Sequence, residues 1–332
     1  VITCLYRTPE GALKQNLSED EMRVAARAPG GLLWLDLNKP TVEEISLLDD
    51  VFAFHLLAIE DCRHANEFPK LDEFPNYLFL VFLVPNPKYK PDQVIDDGNK
   101  GEEPVIEMDM FIGQHFVVTY HTEPLPFVHG LLERGKRDPR RGLSHGSSFL
   151  AHDILDAGVD QFFVMVDKFQ TEAEESETKL YEDHSQELLA GILQVKRRVL
   201  DLRRRMGDHR ELIQRLLRGN PMIIVPDSHI YFRNVIDHLR SIEDDLDVCR
   251  DTIDNARDVF LALGNARSND VMKTLTLVFT LSLPFSIVTS YFGMNFEHLP
   301  HLTDPWAPLI ITVVMFGIAA IMLLWLRAKK WF

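Results

Sequence analysis

The spacing of hydrophobic residues changes several times along this 332-residue chain, and each spacing predicts a different kind of element. As far as about residue 125, apolar residues come in short blocks. Leu32-Leu33-Trp34-Leu35-Asp36-Leu37 reads as a short strand. Tyr77-Leu78-Phe79-Leu80-Val81-Phe82-Leu83-Val84 reads as a buried strand, and VIEMDMFIG with HFVVTYH, 105–121, as a hairpin or paired strands. TVEEISLLDDVFAFH has the pattern of an amphipathic helix that Thr41 can cap. The polar stretch PNPKYKPDQVIDDGNKGEEP, rich in Pro, Gly and Asp, reads as a mobile loop. Residues 1–146 are therefore expected to form an α/β domain.

From residue 147 the period becomes helical. Residues 147–226 predict a helical hairpin, weakly interrupted at Gly191 and Gly207, with an acidic centre (TEAEESETKLYEDHSQE) followed by a basic run (KRRVLDLRRR). Pro221 and Pro226 end it, and Asp227 or Ser228 can cap the next helix. Residues 227–272 then predict a stalk helix. Val235, Leu239, Ile242, Leu246, Cys249, Ile253, Ala256, Phe260 and Leu263 alternate steps of four and three, a seam of period 3.5. No proline interrupts the chain again before Pro284. One helix could thus run from Ile230 to Phe292, on the order of 95 Å at 1.5 Å per residue.

Two uncharged runs follow, between Lys273 and Glu297 and between Asp304 and Arg327. Each is long enough to cross a hydrocarbon core of roughly 30 Å. They predict a first span at 273–295, an outer loop at 296–304, a second span at 305–326 and a basic tail at 327–332. Trp306 and Trp325 flank the second span as interfacial aromatics do. Lys273 precedes the first span, and Arg327, Lys329 and Lys330 follow the second, while the loop FEHLPHLTD has neither Lys nor Arg. The positive-inside rule then places both termini in the cytoplasm of a multi-pass protein of the cell (inner) membrane.

Charge sharpens this division. The chain carries 35 Lys+Arg against 50 Asp+Glu, a formal net charge of −15. Residues 269–332 are almost uncharged, with a net charge of +1, so the remainder holds −16. An acidic body suits cations and argues against nucleic acid as a partner. The cysteines, Cys4, Cys62 and Cys249, lie far apart with no CxxC, which excludes a zinc ribbon or a disulfide framework. Gly142-Leu143-Ser144-His145-Gly146 matches GxSxG, but KRDPRR precedes it where a hydrolase needs a buried strand. Glu60, Cys62 and His64 lack a fourth spaced ligand for zinc. No Walker motif or dinucleotide fingerprint is present. These absences point away from an enzyme and from an ATP-driven pump, and no organic cofactor is expected.

The first span is too polar for a helix facing only lipid: it holds Thr274, Thr276, Thr280, Ser282, Ser286, Thr289 and Ser290. It ends in Tyr291-Phe292-Gly293-Met294-Asn295. With Pro284 before that motif and AKKWF at the chain's end, this resembles the CorA family of magnesium transport channels, whose signature is Gly-Met-Asn. Trp34-Leu35-Asp36-Leu37, Phe54-His55, Ala58-Ile59-Glu60-Asp61, Pro69-Lys70-Leu71, Tyr77-Leu78-Phe79 and Tyr231-Phe232-Arg233 are similar to family positions too. The resemblance implies a funnel-shaped homopentamer whose first spans line a pore passing Mg²⁺, and also Co²⁺ and Ni²⁺, without ATP. It assigns the selectivity filter to Gly293, Met294 and Asn295, and the pore lining to Asn269, Met272, Leu275, Leu283 and Ser286. Glu297 and Asp304 would concentrate cations at the outer mouth.

Two departures from the family pattern matter. The outer loop has Leu299-Pro300-His301 where relatives often carry Met-Pro-Glu, so His298 and His301 lie near Glu297. Imidazole suits Zn²⁺, Co²⁺ and Ni²⁺, which keeps a transporter of those ions open. The stalk aspartate that helps bind inhibitory Mg²⁺ in relatives falls at Asn234. Asp237, Glu243, Asp244, Asp245 and Asp247 stand nearby as substitute ligands for regulatory Mg²⁺. A non-conducting, membrane-anchored sensor or adaptor is the alternative of another class.

Overall fold

A computed structural model of the protein describes residues 1–64, 66, 68–89, 103–179, 185–294 and 305–329. They divide into two units, Val1–Ala256 and Arg257–Phe332. The first begins with β1 (Ile2–Arg7), β2 (Leu13–Gln15), α1 (Glu19–Ala25) and β3 (Leu32–Asn38). Three short helices follow, α2 (Val42–Ile45), α3 (Leu47–Asp50) and α4 (Leu56–Asp61), and then β4 (Lys70–Glu73), β5 (Tyr77–Pro85), β6 (Val105–Gly113) and β7 (Phe116–His121).

These strands form one seven-stranded sheet in the order β2-β1-β3-β7-β6-β5-β4. Only β3 and β7 pair in parallel. Every residue of β5 from Tyr77 to Val84 is buried, because both faces of the sheet are covered and no polar alternation is needed. On one face Leu33, Leu35, Phe79, Val81, Phe111 and Val118 share a core with Met22, Leu48, Phe54 and Ile59 of the short helices and their connections. Phe54 and Phe111 stack there with ring centroids 4.1 Å apart. Such a pair contributes about 0.5–1.5 kcal/mol beyond burial. The polar groups buried between β3 and β7 satisfy one another. Trp34 Nε1 donates to Thr119 Oγ1 (3.2 Å), Thr119 Oγ1 donates to Asp36 Oδ1 (2.5 Å), and His121 Nε2 lies 3.2 Å from that same oxygen.

The predicted hairpin 105–121 is β6 and β7, paired antiparallel. The segment after Thr41 is two helices rather than one. Thr41 caps α2 in a capping box with Glu44, and Ser46 then donates its hydroxyl to the Glu43 carbonyl where α2 gives way to α3. Of the proposed mobile loop, residues 90–102 lie outside the described residues.

The helical half comprises α5 (Pro126–Arg137), α6 (Pro139–Gly142), α7 (Ser147–Lys179), α8 (Gln186–Leu216), α9 (His229–Phe292) and α10 (Ala307–Ala328). The helix α7 packs on β5, β6 and β7, covering the second face of the sheet. The helix α8 continues through Gly191 and Gly207. Within α8, His209 is wholly buried, and its Nε2 accepts the Leu83 backbone N–H at 3.1 Å. Pro226–Ser228 forms a single 3₁₀ turn before α9. The capping role expected of Ser228 is not taken up: its hydroxyl points back to the Val225 carbonyl and also meets Ser148. The seam of α9 is buried from Val235 through Leu239, Ile242, Leu246, Cys249 and Ile253 to Ala256.

Candidate ion pathway and cation sites

Within the unit Arg257–Phe332, α9 shows two distinct sides. Leu277, Thr280, Leu281, Pro284, Phe285 and Val288 are half-buried, and their steps of three and one trace a single stripe. Ile311, Met315, Ala319, Met322 and Leu326 form the matching covered stripe of α10. The two helices meet where the Phe285 and Phe316 rings lie edge to face, 5.6 Å apart. At 3.6 residues per turn, Met272, Leu275, Leu283 and Ser286 fall on the other side of α9, whereas Asn269, eleven residues before Thr280, lies near the edge of the covered stripe. All five are exposed in the single chain. The structure thus gathers Met272, Leu275, Leu283 and Ser286 on the side of α9 that α10 leaves open, and leaves Asn269 off it.

The hydroxyls of this segment return to their own helix. Thr274 donates to the Asp270 carbonyl (2.9 Å), Ser286 to Ser282 (3.1 Å) and Thr289 to Phe285 (2.7 Å). Each proton is thereby satisfied without water, while the oxygen lone pairs still face outward as neutral acceptors. Helix α9 ends at Phe292, where the Gly293 N–H still reaches the Thr289 carbonyl at 2.9 Å. A Cβ on Gly293 would stand 3.1 Å from that carbonyl oxygen, a tight contact that glycine avoids. Met294 follows and is exposed. Asn295, Glu297, His298, His301 and Asp304 lie outside the described residues.

A second constellation lies in the unit Val1–Ala256, and the sequence reading did not find it. Asp156 and Asp160, one turn apart on α7, face His238 of α9. His238 Nδ1 lies 3.2 Å from Asp156 Oδ1 and 3.8 Å from Asp160 Oδ1. One ligand atom from each of the three lies within 4.8 Å of the others, a spacing that fits one metal ion. Burial, and then the charge of Asp156, raise the Asp160 carboxyl above its ordinary range, while His238 pulls it partly back. Asn234, one turn before His238, has its side-chain amide nitrogen 3.2 Å from His238 Nε2. The departure noted at Asn234 therefore borders this cluster.

The five carboxylates proposed from sequence as regulatory ligands are spread along α9. Asp237 pairs with Arg240, Glu243 with Arg210, and Asp247 with Arg203 and Arg250. Asp244 and Asp245 are exposed. Elsewhere, Ser144 and His145 of the GxSxG match sit in the connection between α6 and α7, with no strand before them. Cys62 is buried, and its thiol donates to the Ala58 carbonyl.

An α/β body, a helix that passes from charged to apolar along its length, and a second apolar helix define a protein with two helices long and apolar enough to cross a membrane. The chain belongs to the CorA-like Mg²⁺ transporter protein family, whose model matches residues 29–330. YfjQ of Bacillus subtilis (strain 168) is 30% identical over 299 residues, 90% of this chain and 89% of that protein. The cobalt/magnesium transport protein CorA of Thermotoga maritima is 28% identical over 289 residues, 86% of this chain and 79% of the relative. The complete structure of the CorA magnesium transporter from Methanocaldococcus jannaschii matches the fold with a TM-score of 0.81 at 20% identity, covering 99% of this chain and 98% of that one.

Proposed function

We propose that this chain is one subunit of a homopentamer that passes divalent cations, foremost Mg²⁺ and also Co²⁺ and Ni²⁺, into the cytoplasm through a central pore. One observation carries the reading: the open side of α9 bears Met272, Leu275, Leu283 and Ser286, while its opposite stripe is covered by α10. Two helices cannot enclose an aqueous path, so the open sides of several subunits must face one another. Neutral amide and hydroxyl oxygens suit a hydrated Mg²⁺, which gives up its water reluctantly. Met272, Leu275 and Leu283 are apolar constrictions able to close by dewetting. Gly293, Met294 and Asn295 form the filter, and Glu297 and Asp304 draw cations to it. The exposed apolar residues of α10, among them Leu309, Val313, Ile321 and Leu324, meet lipid.

In this reading residues 1–146, 147–226 and 227–272 are cytoplasmic, 273–295 and 305–326 span the cell membrane, 296–304 lie outside, and 327–332 return to the cytoplasm. No ATP is needed, since a divalent ion gains roughly 4.6 kcal/mol on entering a cell at 100 mV. The −16 of the body repels between subunits, and hydrated cytosolic Mg²⁺ on the carboxylates of Asp156 and Asp160, beside His238, offsets that repulsion and favours a closed pore. Uptake of Mg²⁺, Co²⁺, Ni²⁺ and Zn²⁺ into liposomes carrying the purified protein tests the proposal. Mg²⁺ uptake from a particle with the mass of five subunits supports it, and a monomer or dimer refutes the assembly. Zn²⁺ uptake without Mg²⁺ would favour the second reading, for which His298 and His301 speak. No flux of any ion would leave the non-conducting sensor.

A further inference from the structure

The basic run of α8 has no part in transport as described above. Within and beyond it, Lys196, Arg203 and Arg210 recur at intervals of seven residues, close to two helical turns, and so share one side of the helix. Each reaches a carboxylate of α9. Lys196 Nζ lies 2.5 Å from Asp254 Oδ1. Arg203 donates from Nε and Nη2 to the two oxygens of Asp247, at 2.6 and 2.8 Å. Arg210 Nε donates to Glu243 Oε1 at 2.9 Å. Residue numbers rise along α8 as they fall along α9, so the pairs form an antiparallel ladder. Arg250 adds a second cation to Asp247 at 3.0 Å. The Asp247 carboxyl is held below its ordinary range chiefly by the Arg203 hydrogen bonds.

Glu243 and Asp247 are one turn apart on α9. Stripped of their arginines they would be a dicarboxylate of the kind that holds a hard divalent cation. A guanidinium fork and a metal ion compete for the same lone pairs, and the fork on Asp247 engages both of its oxygens. We propose that Lys196, Arg203 and Arg210 are resident counter-cations that close Asp254, Asp247 and Glu243 to divalent ions, and so confine cytosolic cation binding to carboxylates that no basic residue of α8 holds. This concerns binding alone and stands whether or not the pore conducts.

Counting Mn²⁺ bound per subunit by the full-length protein in detergent, from the electron-spin signal of the free ion, tests the proposal without measuring flux. Glu243→Gln/Asp247→Asn should bind as many ions as the parent protein, with unchanged affinity. Arg203→Gln/Arg210→Gln/Arg250→Gln, which also removes the second cation on Asp247, should gain one ion per subunit while keeping its helix content by circular dichroism. Loss of an ion from the carboxylate variant would overturn the proposal, because those oxygens would then be ligands in the native protein. An unchanged count in a folded arginine variant would overturn it equally, because something other than the arginines would be keeping ions out. If the arginine variant fails to fold, the carboxylate variant decides alone.

Discussion

Asn234→Asp is the most direct probe of cytosolic regulation. The substitution changes an amide into a carboxylate of nearly the same shape, beside His238 and on the border of the Asp156–Asp160 cluster. Asn234 is exposed, so the dielectric of water governs the added interaction. Asn234 meets Nε2 of His238 while the two aspartates face Nδ1, so the new charge stands roughly 7 Å from an ion on the Nδ1 side, and it attracts a divalent ion there by about 1.2 kcal/mol. Physiological salt, with a screening length of about 8 Å, trims this to roughly 0.5 kcal/mol. At 1.4 kcal/mol per tenfold, the two figures correspond to an affinity gain of roughly 2-fold to 7-fold. The concentration of cytosolic Mg²⁺ that half-closes the pore should fall by that factor. The assay is flux through oriented liposomes against Mg²⁺ on the cytosolic side, for both proteins. A shift smaller than about twofold would refute the role given to position 234, since it would leave under about 0.4 kcal/mol for the new charge. Flux that ignores cytosolic Mg²⁺ in the millimolar range in both proteins would refute the sensor altogether.

Three further outcomes follow from particular residues. Asn295→Ala removes the amide proposed for the filter while leaving α9 intact, so Mg²⁺ uptake should collapse in a particle of unchanged mass; uptake at the parent rate would refute that assignment. Burial pushes the His209 imidazole down to about 3, against about 6.5 in an unfolded chain, so the unfolded state takes up a proton that the folded state refuses. Stability should therefore fall as pH drops from about 6.5 towards 3, by roughly 1.4 kcal/mol per pH unit from this group, and a Gln substitution should flatten that slope in acid-titrated denaturant unfolding. Leu246 is fully buried in the α9 seam, so Leu246→Ala should cost about 2–5 kcal/mol in the same measurement; a cost under about 1 kcal/mol would mean the seam is not packed.

The elements that were legible in the sequence are those whose burial is one-dimensional. The α9 seam shows as a 3.5-residue period because one stripe is covered for about six turns, and β5 shows as an unbroken apolar run because both its faces are. The helix α1 was not legible: it buries only Met22 and Ala25, too few for a period to emerge. Nor was β1, whose buried centre is only Cys4-Leu5-Tyr6. The Ser and Thr residues of the first span set it apart from the apolar second span in sequence, but the stripe that α10 covers could not be read. That stripe mixes Leu, Thr, Pro, Phe and Val, and only the packing partner distinguishes it. The Asp156–Asp160–His238 cluster lay hidden for a different reason. Aspartates four apart are common on acidic helices, and their meaning depends on a histidine 78 residues after Asp160 in the chain. Sequence spacing cannot supply a contact between two long helices.

The bond between Leu83 and His209 has a consequence for how the sheet ends. Strand β4 pairs with β5 only as far as Lys70 opposite Val81. Beyond that point no strand among the described residues lies beside the outward N–H of Leu83, and such a bare edge is a template on which another chain can add a strand. A histidine ring from α8 occupies the position instead, so a helix side chain closes the edge where the neighbouring strand stops. Leu83 should therefore exchange its amide hydrogen as slowly as the paired strand residues around it. Once acid protonates His209, the ring can no longer accept that bond. The same edge then opens to solvent, and aggregation by strand addition should begin there.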